Sequence, residues 1–159
     1  MEIKQINQAI ERSIHYHTKL VLVTGKAAPH VLENAASKDG LVVINLGLEL
    51  SEKLIEVPRQ DRAKSAASLF TDLLHELNTR GLLLNNIDIL FDKTLSIEPL
   101  KLLQSRAKNL TLVVAWPGEK TNSSLTYAMP SHPEYRCYKA SDFGETIFVD
   151  AGKMDKQEK

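Results

Sequence analysis

The run Lys19-Leu20-Val21-Leu22-Val23-Thr24, closed by Gly25, constrains this chain more than any other stretch. It is apolar, rich in β-branched residues and too short for a buried helix. Successive side chains of a strand point to opposite faces, so a continuous apolar run has no face suited to water. Such a run reads as a strand buried on both sides, the mark of a parallel sheet. Leu41-Val42-Val43-Ile44-Asn45 and Leu110-Thr111-Leu112-Val113-Val114-Ala115 repeat the pattern. Leu82-Leu83-Leu84 with Ile87 gives a third strand region in chain order, and Glu145 to Val149 a fifth strand.

Helical periodicity fills the intervals. Ile3, Ile6, Ile10 and Ile14 form one stripe of an amphipathic helix. Pro29 suits a first helical turn, with Val31, Leu32, Ala35 and Ala36 on the inner face and Gly40 ending the segment. Residues 46 to 60 read as a polar connection with a short helix near Ser51 to Glu56. Ala63, Ala66, Ala67, Phe70, Leu73, Leu74 and Leu77 mark a long helix, with Gly81 as its stop. Ser96 is placed to cap a helix carrying Leu100, Leu103 and Ala107. Residues 119 to 143 look irregular, with Leu125 to Met129 and Tyr135 to Tyr138 pairing as a small hairpin. Strands alternating with helices predict an α/β fold: three layers, a mostly parallel five-stranded sheet and helices on both faces. One domain is expected over residues 1–150, and a charged, disordered tail over 151–159.

Composition narrows the function classes. Twenty basic residues balance twenty acidic ones, whereas nucleic-acid binders carry excess positive charge to neutralise phosphates. Bulk charge therefore argues against DNA or RNA, leaving only a local basic face around Lys101, Arg106 and Lys108 for a DNA-contacting adaptor. No apolar run approaches the roughly 20 residues that cross a membrane, and residues 1 to 11 lack the features of a signal peptide. The lone Cys137 permits no internal disulfide and no multi-cysteine zinc site. A cytoplasmic location is expected.

Ligands of parallel sheets bind beyond the carboxyl ends of the strands, which directs attention to Gly25, to the segment after Leu84 and to Trp116. A buried strand, a glycine, a tight loop and a helix have the layout of a phosphate-binding loop. Its working pattern, G-x-x-x-x-G-K-[ST], needs glycines so that N–H groups can close around phosphate. It needs lysine for the β- and γ-phosphates and a hydroxyl for magnesium. Here the loop runs Gly25-Lys26-Ala27-Ala28-Pro29-His30-Val31-Leu32, so His30, Val31 and Leu32 occupy those last three positions. Pro29 also removes an N–H. Nucleotide hydrolases of this kind carry an aspartate at the end of a central strand to hold magnesium. The register favoured here ends the third strand at Asn85, which is neutral and cannot act as a base. A displaced register would instead supply Asp92. Gly25, Lys26, Ala28, His30 and Asn85 thus outline a degenerate nucleotide site, for which ATP and Mg2+ are the candidate ligands. The competing reading makes Gly25 a simple strand-to-helix turn.

Several segments carry a family resemblance. They are Asn45-Leu46-Gly47-Leu48-Glu49-Leu50-Ser51-Glu52-Lys53-Leu54, Asn86-Ile87-Asp88-Ile89-Leu90-Phe91-Asp92 and Pro99-Leu100-Lys101-Leu102-Leu103-Gln104-Ser105. Leu112-Val113-Val114-Ala115-Trp116-Pro117-Gly118-Glu119, Leu125-Thr126-Tyr127-Ala128 and His132-Pro133-Glu134-Tyr135-Arg136 follow in order. Together they resemble the small P-loop proteins of BREX bacteriophage-exclusion systems (BrxF), over about residues 19 to 150. The resemblance implies an antiphage role beside a larger ATPase, a DNA methyltransferase and other defence proteins. It also implies an AAA+-related core, here without the helical lid. The chain departs from the family pattern at the phosphate loop and at Asn85, which points away from ATP hydrolysis and toward protein contacts. A weak ATPase using Lys26 and Asp92 is the alternative within the same system, and a homo-oligomer is a further candidate assembly.

Trp116, Pro117, Gly118, Tyr127, Tyr135 and Arg136, together with Tyr138, have two readings. Aromatic residues and arginine favour interfaces, and irregular segments over a rigid sheet often bind partners; alternatively these residues fold back over the strand ends. His15, His17 and His75 read as surface residues, and Cys137 with His132 lacks the third member of a nucleophilic triad.

Overall fold

The computed structural model describes residues 2–39, 42–77, 81–108 and 110–152. Gly40, Leu41, the tail beyond Gly152 and the side chains of Ile3 and Ala36 lie outside the described residues. From the amino end the elements are α1 (Glu2–Ser13), β1 (Leu20–Thr24), α2 (Ala28–Asp39), β2 (Val42–Asn45), α3 (Leu46–Ile55) and α4 (Arg62–Leu77). They continue with β3 (Gly81–Asn85), α5 (Pro99–Arg106), β4 (Thr111–Ala115), β5 (Glu119–Lys120), β6 (Ser124–Tyr127), β7 (Arg136–Lys139) and β8 (Ile147–Asp150).

Five strands form one sheet in the order β2-β3-β4-β1-β8, and every pairing in it is parallel. The apolar runs explain why. β1 is buried along its length, and its alternate side chains enter two separate cores. Leu20 and Leu22 join Leu82, Leu84, Leu112 and Val114 on one face. Val21 and Val23 join Leu83, Val113, Ile147 and Val149 on the other. The first face is covered by α3, α4 and α5 through residues such as Leu50, Phe70 and Leu103. The second is covered by α1 and α2 through Ile6, Ala9, Leu32 and Ala35. The expected three layers are present, and the main sheet is wholly rather than mostly parallel.

Several expected boundaries shift, each for a local reason. α3 starts at Leu46 rather than near Ser51, because the Asn45 side chain accepts the Leu48 N–H at 3.1 Å and caps the helix there. Leu46, Leu50 and Leu54 then recur on its buried side. The stripe of α1 ends at Ile10: the helix stops at Ser13, and Ile14 is 59% exposed. Gly81 opens β3 instead of ending α4. Ser96 adopts a left-handed conformation (φ +54°), and Glu98 caps α5 in its place. Ile87 lies outside β3, buried ahead of a 3-10 turn at Asp88–Phe91. Residues 119 to 143 are more regular than expected: β5, β6 and β7 form an antiparallel sheet. The expected hairpin is its β6–β7 arm, with Leu125 opposite Tyr138.

Candidate functional site

Because the main strands run parallel, β1, β3, β4 and β8 deliver their carboxyl ends to one edge of the sheet. A cleft of about 1340 Å³ opens there. Gly25, Lys26, Asn85, Trp116, Pro117 and Gly118 all line it, so the topology brings together residues far apart in sequence. Ala28 is fully buried and His30 is exposed, and neither is among the lining residues.

The turn from β1 to α2 is only three residues long, Gly25 to Ala27, because the helix begins at Ala28. The helix start closes back on the turn: Ala28 donates to the Gly25 carbonyl at 3.1 Å and Val31 to the Ala27 carbonyl at 2.9 Å. Pro29 has none to offer. Gly25 is required by both conformation and space. Its φ is +102°, and a Cβ there would lie 2.3 Å from the Gly152 nitrogen. The backbone after β8 crosses directly over this turn, held by the Ala151 N–H donating to the Thr24 carbonyl at 2.7 Å.

Asn85 ends β3, as the favoured register expects. It is only 9% exposed. Its Nδ2 donates to the Pro29 carbonyl at 3.4 Å, while its buried Oδ1 has no partner among the described residues. Asn86 follows at φ +58° and is a strut: its Nδ2 donates to Asn45 Oδ1 at 2.9 Å, and its carbonyl accepts the Gly47 N–H at 2.9 Å. Asp92 stands beyond the 3-10 turn and outside the cleft lining. Its Oδ1 accepts the Thr94 N–H at 2.9 Å and the Thr94 hydroxyl at 2.7 Å.

Trp116 folds back over the strand ends, whereas other residues of the segment stay open at the cleft. Trp116 is 2% exposed and packs edge-on to Phe91 and Tyr138, so its ring backs the cleft wall and is not a free contact surface. A buried indole needs its N–H satisfied, and Nε1 donates to the Thr126 carbonyl at 2.9 Å. Gly118 is forced by the same contact, since a Cβ there would fall 1.6 Å from that carbonyl oxygen. Pro117 is exposed, and Tyr135 is half-buried at the cleft. Tyr127 stacks on Phe91 at 3.7 Å between ring centroids. Burial, together with the charges of Asp88 and Glu134, pushes its phenol up to about 12. Arg136 is not among the lining residues and donates to Glu98 Oε2 at 3.0 Å and to the Ile97 carbonyl at 3.1 Å.

Glu98 and the acidic lining of the cleft are the residues that sequence reasoning missed. Glu98 gathers Arg136, the Tyr138 hydroxyl at 2.7 Å and the Lys101 N–H at 3.4 Å. Glu33, Asp88, Glu119 and Asp150 all line the cleft. Partial loss of hydration raises the Asp88 carboxyl above its ordinary value. A cleft with this lining can hold a ligand that donates hydrogen bonds and carries positive charge.

No protein-family model, curated protein or solved structure matches this chain. The likeness to BREX proteins therefore rests on the segments quoted above. No helix among the described residues is long and apolar enough to cross a membrane.

Proposed function

We propose that this chain is an accessory subunit of a BREX-type antiphage system, acting through protein contacts on a P-loop-like scaffold rather than by hydrolysing ATP. The β1–α2 turn carries this reading, with His30, Val31 and Leu32 where the second glycine, the lysine and the hydroxyl would stand. A phosphate cradle needs several free N–H groups converging on one point, whereas the Ala28 N–H is held by the Gly25 carbonyl and Pro29 has none. The strand–turn–helix unit opening on a carboxyl-end cleft supports the P-loop relation, and the quoted sequence segments support the defence role. The alternative ATPase loses its magnesium candidate, because Asp92 is engaged with Thr94 away from the cleft.

The test is complementation in a complete defence locus. Deleting the gene should abolish protection, and the Lys26→Ala protein should restore it almost fully. Undiminished protection after deletion would remove the defence role. Loss of protection in Lys26→Ala, together with Mg-ATP binding by calorimetry that disappears in the same variant, would establish the ATPase instead.

A further inference from the structure

The cleft is acidic in a chain whose formal charges cancel. Glu33, Asp88, Glu119 and Asp150 line it, against the single cation Lys26 among the described residues that do so. Asp150 is engaged internally, its Oδ1 accepting the Gly152 N–H at 2.8 Å. The ion pairs among the described residues, Lys53–Glu76 and Arg136–Glu98, do not involve Glu33, Asp88 or Glu119. A concave, partly apolar surface focuses the field of such uncompensated charges. Asp88 feels the cost, since burial holds its carboxyl above the ordinary range.

Asn85 adds an independent observation. It is about nine-tenths buried, lines the cleft and leaves Oδ1 without a partner among the described residues. Which atom is oxygen follows from chemistry: the other amide atom faces the Pro29 carbonyl, which only accepts, so that atom must be the nitrogen. The unpaired atom is therefore an acceptor awaiting an N–H or O–H donor. Polyphosphate offers few donors at neutral pH and would meet the carboxylates as like charge.

We propose that this cleft docks a basic segment of a partner protein, whose arginine or lysine side chains meet Glu33, Asp88 and Glu119 beside the unpaired Asn85 amide. The proposal rests on the protein-contact reading above and gives that contact its chemistry. The cleft volume, about 1340 Å³, exceeds the roughly 300–1,000 Å³ of ordinary small-molecule sites and suits several residues of extended chain. Pro117, Pro130, Tyr135 and the 71%-exposed Met129 supply apolar walls for the aliphatic stems of such side chains. Among the described residues no three His, Cys, Asp or Glu are grouped to hold a metal ion. The charge is spread along the cleft, as a chain of cationic side chains requires.

The experiment titrates the full chain with a short fluorescent peptide of alternating arginine and serine, read by anisotropy. The peptide should bind, and the triple variant Glu33→Gln, Asp88→Asn, Glu119→Gln should weaken it about tenfold. The distant double variant Glu11→Gln, Glu52→Gln should leave affinity within about twofold. No binding, unchanged binding in the triple variant, or equal loss in the distant double variant overturns the proposal. Spermidine binding as tightly as the peptide also overturns it, in favour of a small-cation site. Thermal melts confirm that the triple variant is folded, and Glu119→Lys, at an exposed position, tests the same point with one change. Affinity capture from cells expressing the neighbouring defence genes separates the two readings. A partner retained by the triple variant removes the docking site and leaves the protein-contact role standing. No partner with the unaltered chain removes that role, while the peptide titration still decides the cleft.

Discussion

The carbonyl oxygen of Thr126 accepts the Trp116 indole N–H at 2.9 Å, and the same oxygen leaves no space for a side chain at position 118. Trp116 and Gly118, at the two ends of the Trp116-Pro117-Gly118 turn, are thus explained by one acceptor. Gly118→Ala forces the β5–β6 arm away from β4 and should cost about 2–4 kcal/mol. Trp116→Phe keeps most of the ring but orphans the carbonyl, and should cost about 1–3 kcal/mol. Urea unfolding midpoints measure both, and a Gly118→Ala protein as stable as its parent would contradict the geometry. Asn85 is the opposite case. Its unpaired oxygen is tolerated at a stability cost, as polar atoms at binding sites often are.

At the scale of elements, Glu98 ties α5 to β7. It caps the helix with Oε1 and meets Arg136 and Tyr138 with Oε2. Glu98→Ala removes the cap and strands the buried Tyr138 phenol, a loss of about 2–3 kcal/mol in chemical denaturation. Glu98→Gln keeps one acceptor oxygen but turns the other into an N–H donor, so it serves either the cap or Arg136 and Tyr138 and should lose about half as much. The Arg136 ion pair contributes little of this, because its side chains are 33% and 35% exposed. The elements that the sequence made legible are those whose signal is burial itself: the runs of β1, β3 and β4 and the face of α4. The ones it concealed depend on single polar atoms. Asn45 starts α3 early and Glu98 displaces Ser96 as a cap, and neither choice is visible in hydrophobic spacing. The site divides the same way. Gly25 and Asn85 follow from the rule for carboxyl ends, but Glu33, Asp88, Glu119 and Asp150 converge from four separate stretches that only the folded chain juxtaposes. Trp116 left two readings open because a tryptophan beside a Pro-Gly turn suits an exposed corner as well as a buried one.

For the whole molecule, the phenols decide how stability responds to alkali. Burial first, then the charges of Asp88 and Glu134, raises Tyr127 to about 12, and burial with the Glu98 hydrogen bond raises Tyr138 as well. Both are higher folded than unfolded, where a tyrosine ionises near 10. The folded state therefore holds more protons above that pH. The stabilisation is complete below about pH 10 and is lost as pH rises toward 12 and beyond. Absorbance of tyrosinate should lag in the native protein, and denaturation midpoints should fall over that window. Tyr127→Phe should flatten the fall, and midpoints unchanged from pH 9 to 12 would refute the assignment.

The central sheet also divides the apolar interior into two compartments. Val31 lies in one and Leu73 in the other, so truncations there should lower stability by amounts that add to within about 0.5 kcal/mol. Over evolutionary time the sheet works as a bulkhead. The residues under α1 and α2 can drift together without disturbing the fit of α3, α4 and α5. Both compartments border β1, β3 and β4, however, so the alternating side chains of these three strands answer to two sets of neighbours, and they are the strands least free to change.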